Sequence, residues 1–287
     1  MSSIVLLTVI MLSLLGLASA VILYFVAQKF KIVEDPRIDL VTEALPGVNC
    51  GGCGYAGCRA FAEQLVKSET FDGLNCPVGG AVTMANIAEI LGRKAVPVEP
   101  KVAVLRCNGT PDNCTRTSFY DGAPNCRVIH SLFGGTTGCQ YGCLGSGDCV
   151  TACKFDAMYM DPLTQLPVIN DEKCVSCGAC VKACPRNLIE LRKRNKKDRK
   201  IYVSCMNKDK GGPARKACKV ACIGCGKCVK ICPYEAITMV DNLAFIDSFK
   251  CKLCRKCVDE CPTGAILEIN FPVKEGKPAE PAITEAV

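Results

Sequence analysis

Tight, repeated groups of cysteine constrain this chain more than any other feature. Of its 287 residues 25 are cysteine, a density that in a short secreted chain would read as a disulfide scaffold. Here the number is odd, and most of the thiols stand two or three residues apart. That spacing suits thiolate ligation of a metal centre far better than disulfide bridging. Thiolate ligands in turn call for a reducing compartment.

Three groups match C-x2-C-x2-C-x3-C-P in full: Cys174, Cys177, Cys180 and Cys184 with Pro185; Cys222, Cys225, Cys228 and Cys232 with Pro233; and Cys251, Cys254, Cys257 and Cys261 with Pro262. In this bacterial ferredoxin pattern the first three cysteines hold one [4Fe–4S] cluster, and the fourth reaches the cluster of the partner motif. The rule assigns Cys222, Cys225, Cys228 and Cys261 to one cluster and Cys251, Cys254, Cys257 and Cys232 to its partner. Upstream it assigns Cys174, Cys177, Cys180 and Cys153 to one cluster and Cys139, Cys143, Cys149 and Cys184 to the other. That last group departs from the pattern, with spacing C-x3-C-x5-C-x3-C and Lys154 where proline would stand.

A fifth set is Cys50, Cys53, Cys58 and, after a helix and a turn at Asp72 and Gly73, Cys76. Gly51, Gly52, Gly54 and Gly57 allow backbone N–H groups to approach the cluster sulfurs. Five [4Fe–4S] clusters leave Cys107, Cys114, Cys126, Cys205 and Cys218 unassigned. Buried thiols are the simplest reading of these five, with a sixth cluster or a structural disulfide as the sharper ones. Zinc is the competing metal, but it usually takes its thiolates as two separated pairs, whereas three groups here place four cysteines within eleven residues.

From Ile4 to Ala27 the chain runs 24 residues without a charge, enough to cross a hydrocarbon core as a helix. Ala18, Ser19 and Ala20 imitate a signal-peptidase site, yet no basic region precedes the segment and the apolar run continues past the cut, so an uncleaved anchor is expected. Lys29 and Lys31 follow directly, and the positive-inside rule then places the remainder in the cytoplasm. The reducing environment that the thiols require is the same one.

The expected fold is α+β. Residues 1–28 form a transmembrane anchor, 32–95 a small four-cysteine [4Fe–4S] domain, 100–191 and 201–271 two ferredoxin-like 2[4Fe–4S] regions, and 272–287 a flexible tail. The two regions read as an internal repeat: a strand ending in cysteine (Val102 to Leu105, then Cys107; Ile201 to Val203, then Cys205), an isolated cysteine, and paired four-cysteine groups. DAMYMDPLTQLPVIND and AITMVDNLAFID predict hairpins between the groups, and AILEIN predicts a closing strand. Between the regions, residues 192–200 carry seven cations and one anion. A solvated linker is the plain expectation, with lipid headgroup attraction or steering of an acidic ferredoxin as functional alternatives.

Composition narrows the chemistry. The only histidine is His130, expected at the surface or in packing, so imidazole acid/base chemistry has little material. The formal charge of +7 falls by about 10 once five clusters and their thiolates are counted, which makes any basic docking surface local. GGCGYAG has glycines but sits among cluster ligands, not between a strand and a phosphate-binding helix. No catalytic residue is expected, nor any nucleic-acid partner.

NCGGCGYAGC with Cys76 in CPVGG, VLRCNGT, YGCLGSGDC and CIGCGKCVKICP, together with the N-terminal helix, resemble the B-type subunit of the Rnf complex over essentially the whole chain. The resemblance implies a membrane complex that couples electron flow from reduced ferredoxin to NAD+ with transport of Na+ or H+. It further implies that the chain is a cytoplasmic electron wire among membrane and peripheral partner subunits, touching lipid, with nucleotide and flavin chemistry elsewhere. Shorter relatives resemble the chain only through the second region, so the pair from Cys222 to Cys261 implies a longer wire. A tethered polyferredoxin of a hydrogenase or other dehydrogenase, and a redox sensor, are the competing function classes.

Overall fold

The computed structural model describes residues 2–29, 35–94 and 99–272. The expected flexible tail, apart from Pro272, lies outside the described residues, as does Lys31. Helix α1, Ser2–Lys29, spans about 42 Å at 1.5 Å per residue, longer than a bilayer's hydrocarbon core. Its segment Val5–Lys29 has a mean hydropathy of 2.6 and buries nothing against the rest of the chain. Such a surface suits an apolar solvent, and the helix is long and apolar enough to cross a membrane.

The small domain follows with α2 (Arg37–Ala44), α3 (Cys58–Lys67) and α4 (Gly80–Ile90). Phe61, Ala62, Leu65 and Val66 recur along one face of α3 and are buried, meeting Val41 of α2 and Ile87 of α4 in one core. The last turn of α3 leaves carbonyls without helical partners. Arg93 satisfies two, donating to Leu65 O at 2.6 Å and Val66 O at 3.2 Å, while its guanidinium lies 5.6 Å from the Phe71 ring centre.

The first ferredoxin-like module contains β1 (Lys101–Leu105), α5 (Cys126–Leu132), α6 (Asp148–Thr151), β2 (Met158–Met160), β3 (Pro167–Ile169), α7 (Ala179–Ala183) and β4 (Ile189–Lys193). The second contains β5 (Lys200–Val203), α8 (Gly211–Ala217), α9 (Lys227–Ile231), β6 (Ile237–Val240), β7 (Leu243–Ile246), α10 (Lys256–Asp259) and β8 (Ile266–Ile269). In each, the first strand pairs antiparallel with the last and the middle two form a hairpin. The repeat legible in the sequence is therefore a repeat of topology. The β6–β7 turn has two residues, Asp241 and Asn242, both at positive φ (49° and 60°), the backbone that a tight hairpin needs and that these residue types tolerate.

The basic run does not form a solvated linker. Arg192 lies in β4 and Lys200 in β5, both buried. Arg192 pairs with Glu190 at 2.5 Å and Lys200 with Asp171 at 2.5 Å, while Lys193 pairs with Glu99 at 2.6 Å and Arg194 with Asp198 at 2.5 Å. Only Lys196 and Lys197 of the seven cations are exposed. The modules meet on this network: Arg192 also donates to Ile246 O of β7 at 2.5 Å, and buried Arg106 reaches Glu190, Val203 O and Cys205 O at 3.3 to 3.4 Å. A buried ion network fixes register more surely than it adds stability; here it locks one module's last strand against the other.

Candidate metal centres

Each ferredoxin motif wraps its first three cysteines by the same backbone device. Between the first and second cysteines stands a residue at positive φ (Ser176 54°, Gly224 67°, Leu253 58°), and after the second stands another (Gly178 76°, Gly226 71°, Arg255 67°). Two left-handed residues so close together curl the loop, and the thiols at its three corners turn toward one centre.

Four of the expected sets each line a single pocket. Cys222, Cys225, Cys228 and Cys261 line one pocket, Cys251, Cys254, Cys257 and Cys232 a second, Cys174, Cys177, Cys180 and Cys153 a third, and Cys50, Cys53, Cys58 and Cys76 a fourth. Backbone N–H groups point at the sulfurs: Gly52 donates to Cys50 Sγ at 3.4 Å and Gly79 to Cys76 Sγ at 3.3 Å.

The fifth set differs from expectation. Cys143, Cys149 and Cys184 line their pocket with Cys126, and Cys139 is not among them. The loop explains why. Gly145 and Gly147 carry φ of 78° and 79°, so Cys143-Leu144-Gly145-Ser146-Gly147-Asp148-Cys149 winds like Cys222-Ile223-Gly224-Cys225-Gly226-Lys227-Cys228, with Ser146 where Cys225 stands. The missing thiol comes from the first turn of α5, where Cys126 N donates to Asp148 Oδ1 at 3.0 Å and ties that helix to the start of α6. Sequence reasoning missed Cys126 because it counted from the nearest cysteine; the Gly-x-Gly frame was the signal that could have found it.

Among the described residues no three ligating side chains converge on one point as ligands of a single ion do. Four thiols ringed about a pocket, with N–H groups directed at sulfur, are the donor set of a [4Fe–4S] cubane.

The remaining thiols also gather. Cys107, Cys114, Cys139, Cys205 and Cys218 meet where the modules join, with Cys114, Cys139, Cys205 and Cys218 in a single buried cluster. Cys143 N donates to Cys107 Sγ at 3.4 Å. His130 is exposed on α5.

The sets follow one another in a line. Gly52 beside Cys50 abuts the loop of Cys177 so closely that an added Cβ would lie 2.8 Å from Cys177 O. Cys180 neighbours Cys149, and Cys228 neighbours Cys257. Of the 25 cysteines only Cys225 and Cys254 are exposed.

Burial, reinforced by neighbouring thiols, pushes Cys149 and Cys257 up to about 12 and Cys180 and Cys228 up to about 11 from an ordinary 9.0. The fold without iron thus favours neutral thiols. That contribution to stability is complete below 9.0 and is lost as the pH climbs toward about 12. The metal-free chain is expected to show a urea midpoint that falls between about pH 9 and about pH 12, while the iron-loaded chain, its thiolates held by metal, keeps its midpoint. A metal-free midpoint that rises over this range would contradict the assignment.

Comparison with known proteins agrees with this geometry. The model of the FeS family, an Fe-S cluster segment, matches residues 45–78. The 4Fe-4S dicluster domain matches residues 142–188 and 221–265, and the 4Fe-4S double cluster binding domain matches 173–235. The chain is 45% identical over 242 residues to the B-type subunit of the Na(+)-translocating ferredoxin:NAD(+) oxidoreductase complex of Acetobacterium woodii, covering 84% of this chain and 71% of the relative. It is 40% identical over 251 residues to the counterpart in the proton-translocating complex of Clostridium ljungdahlii (88% and 87% covered), and 41% identical over 251 residues to the counterpart in the ion-translocating oxidoreductase complex of Methanosarcina acetivorans (88% and 93%). With its 4Fe-4S domains, an N-terminal helix apolar enough to cross a membrane and this likeness over most of its length, the chain belongs to the family of B-type subunits of the Rnf complex, the ion-translocating ferredoxin:NAD+ oxidoreductase.

Proposed function

We propose that the chain is the non-catalytic electron relay of such a complex, accepting electrons from reduced ferredoxin and holding their path toward the anchored domain and the partner subunits. The observation that carries this reading is the line of thiol sets between the Cys225 and Cys254 face and the Cys50 set, which lies in the domain nearest α1 in the chain. A bound [4Fe–4S] centre takes up and releases one electron without proton or bond chemistry. The chain's own part is to hold the sets in order, keep most ligand thiols buried or half-buried, and leave Cys225 and Cys254 exposed among basic residues.

Five exposed lysines, Lys227, Lys230, Lys250, Lys252 and Lys256, stand within five residues of Cys225 or Cys254, and Asp259 is the one carboxylate in those windows. That surface suits an acidic ferredoxin. The steering role therefore passes from the run at 192–200, whose cations are mostly paired, to these lysines. Lys29 and Lys31 after the anchor favour the cytoplasmic side for the cluster domains, where ferredoxin is found. NAD+ chemistry and passage of the coupled ion, Na+ or H+, fall to partner subunits.

Stopped-flow mixing of the anaerobic, iron-loaded full chain in detergent with reduced ferredoxin tests the reading. Loss of visible absorbance at a rate proportional to chain concentration is expected. A chain that dithionite reduces but ferredoxin leaves oxidised would overturn it.

A further inference from the structure

The line of thiol sets has one interval that the five centres do not fill. Between the Cys143 set of the first module and the Cys222 set of the second stand the five cysteines of the junction. Cys143 N donates to Cys107 Sγ on one side, and Cys222 neighbours Cys205 on the other. Within the group, Cys107, Cys139 and Cys205 are mutual neighbours. Cys114 and Cys218 are neighbours, Cys114 Sγ donating to Ala217 O at 3.1 Å, with Cys114 also neighbouring Cys139 and Cys218 neighbouring Cys107.

The surroundings are those of a charged sulfur site. Asn207, 1% exposed, donates through Nδ2 to Cys139 Sγ at 3.7 Å and through its backbone N to Cys205 Sγ at 3.4 Å. A buried amide with its donor aimed at sulfur is satisfied by a thiolate better than by a thiol. Two half- to fully buried arginines bring positive charge: Arg186 lies within electrostatic reach of Cys139 and Cys107, and Arg106 donates to Cys205 O at 3.4 Å. Four thiolates around an oxidised cubane carry a net charge of about −2, which two cations offset.

We propose that Cys107, Cys139 and Cys205, with one thiolate from the Cys114–Cys218 pair, hold a sixth [4Fe–4S] cluster at the module junction. The inference rests on the relay reading and deepens it. The ligands come from both modules, so this centre both bridges the two ferredoxin-like units and depends on their docking. The same dependence accounts for the buried Arg106–Glu190–Arg192 network at that seam.

Iron, acid-labile sulfide and peptide-resolved thiol alkylation of the anaerobically purified full chain test it. About 24 irons per chain, with Cys107, Cys139 and Cys205 protected from alkylation, are expected. The triple variant Cys107→Ala, Cys139→Ala, Cys205→Ala is expected to fall to about 20 irons, with the electron paramagnetic resonance signals of the other centres retained. Because that variant can lose its fold, the wild-type measurement stands as a test by itself. About 20 irons together with alkylation of the junction thiols, or a Cys114–Cys218 disulfide by mass spectrometry, overturns the proposal. Failure of the five-centre reading shows differently, as alkylation of thiols in the other sets.

Discussion

The variant Cys126→Ala is expected to lose about four irons per chain and to leave the other sets filled. Cys126 is the fourth thiol of the Cys143, Cys149 and Cys184 pocket, and no other thiol lines that pocket to replace it. Its backbone is fixed by Asp148 and by the Asn125 cap, whose Oδ1 accepts from Val128 N at 3.1 Å, so alanine leaves the helix start in place while removing the ligand. The loop geometry supplies a rescue. Ser146 sits between Gly145 and Gly147 as Cys225 sits between Gly224 and Gly226, and Ser146→Cys in the Cys126→Ala background is expected to restore the iron. Unchanged iron in Cys126→Ala, measured with the protein concentration fixed by amino-acid analysis, would return the ligand role to Cys139.

Much of this arrangement was legible from local spacing. The three standard motifs place their thiols within one loop each, and the cross-over of the fourth cysteine follows from the proline-terminated pattern. The period-2 runs gave both hairpins, and the 3.6-residue periodicity of Phe61, Leu65 and Val66 gave α3. What spacing could not supply was anything set by tertiary placement. Cys126 enters its pocket from a separate helix, 17 positions before Cys143. Cys107 and Cys205 are 98 positions apart and meet only because β1 and β5 open equivalent modules that pack together.

The basic run shows the same limit from the side of charge. Composition marks residues 192–200 as solvated, yet strand alternation turns Arg192 inward, and its partner Glu190 lies two residues earlier on the same strand face. Lys200 finds Asp171 from the β3–α7 connection. Buried cations beside anionic cluster sites serve a purpose that surface cations do not: they hold opposite charge in a medium that screens it poorly. A count of lysines and arginines therefore overstates what remains for docking, and exposure must decide which cations face a partner.

On that criterion, Lys227→Glu, Lys252→Glu and Lys256→Glu together are expected to lower the rate constant for reduction by ferredoxin about tenfold to about a thousandfold at low ionic strength. These lysines are exposed and flank the two exposed ligand thiols, Cys225 and Cys254. Their field steers an acidic partner to the two most exposed cluster ligands. Because such steering is screened over about 10 Å at 0.1 M salt, the wild-type rate should fall steeply as salt is added and the variant's should not. Iron content is expected to be unchanged, since none of the three ligates a cluster. The matched control is Lys196→Glu with Lys197→Glu, which reverses the two exposed cations of the 192–200 run and is expected to leave the rate within about twofold. Equal losses in the two variants would mean that only overall charge matters, and a loss confined to the control would move the ferredoxin site to the module seam.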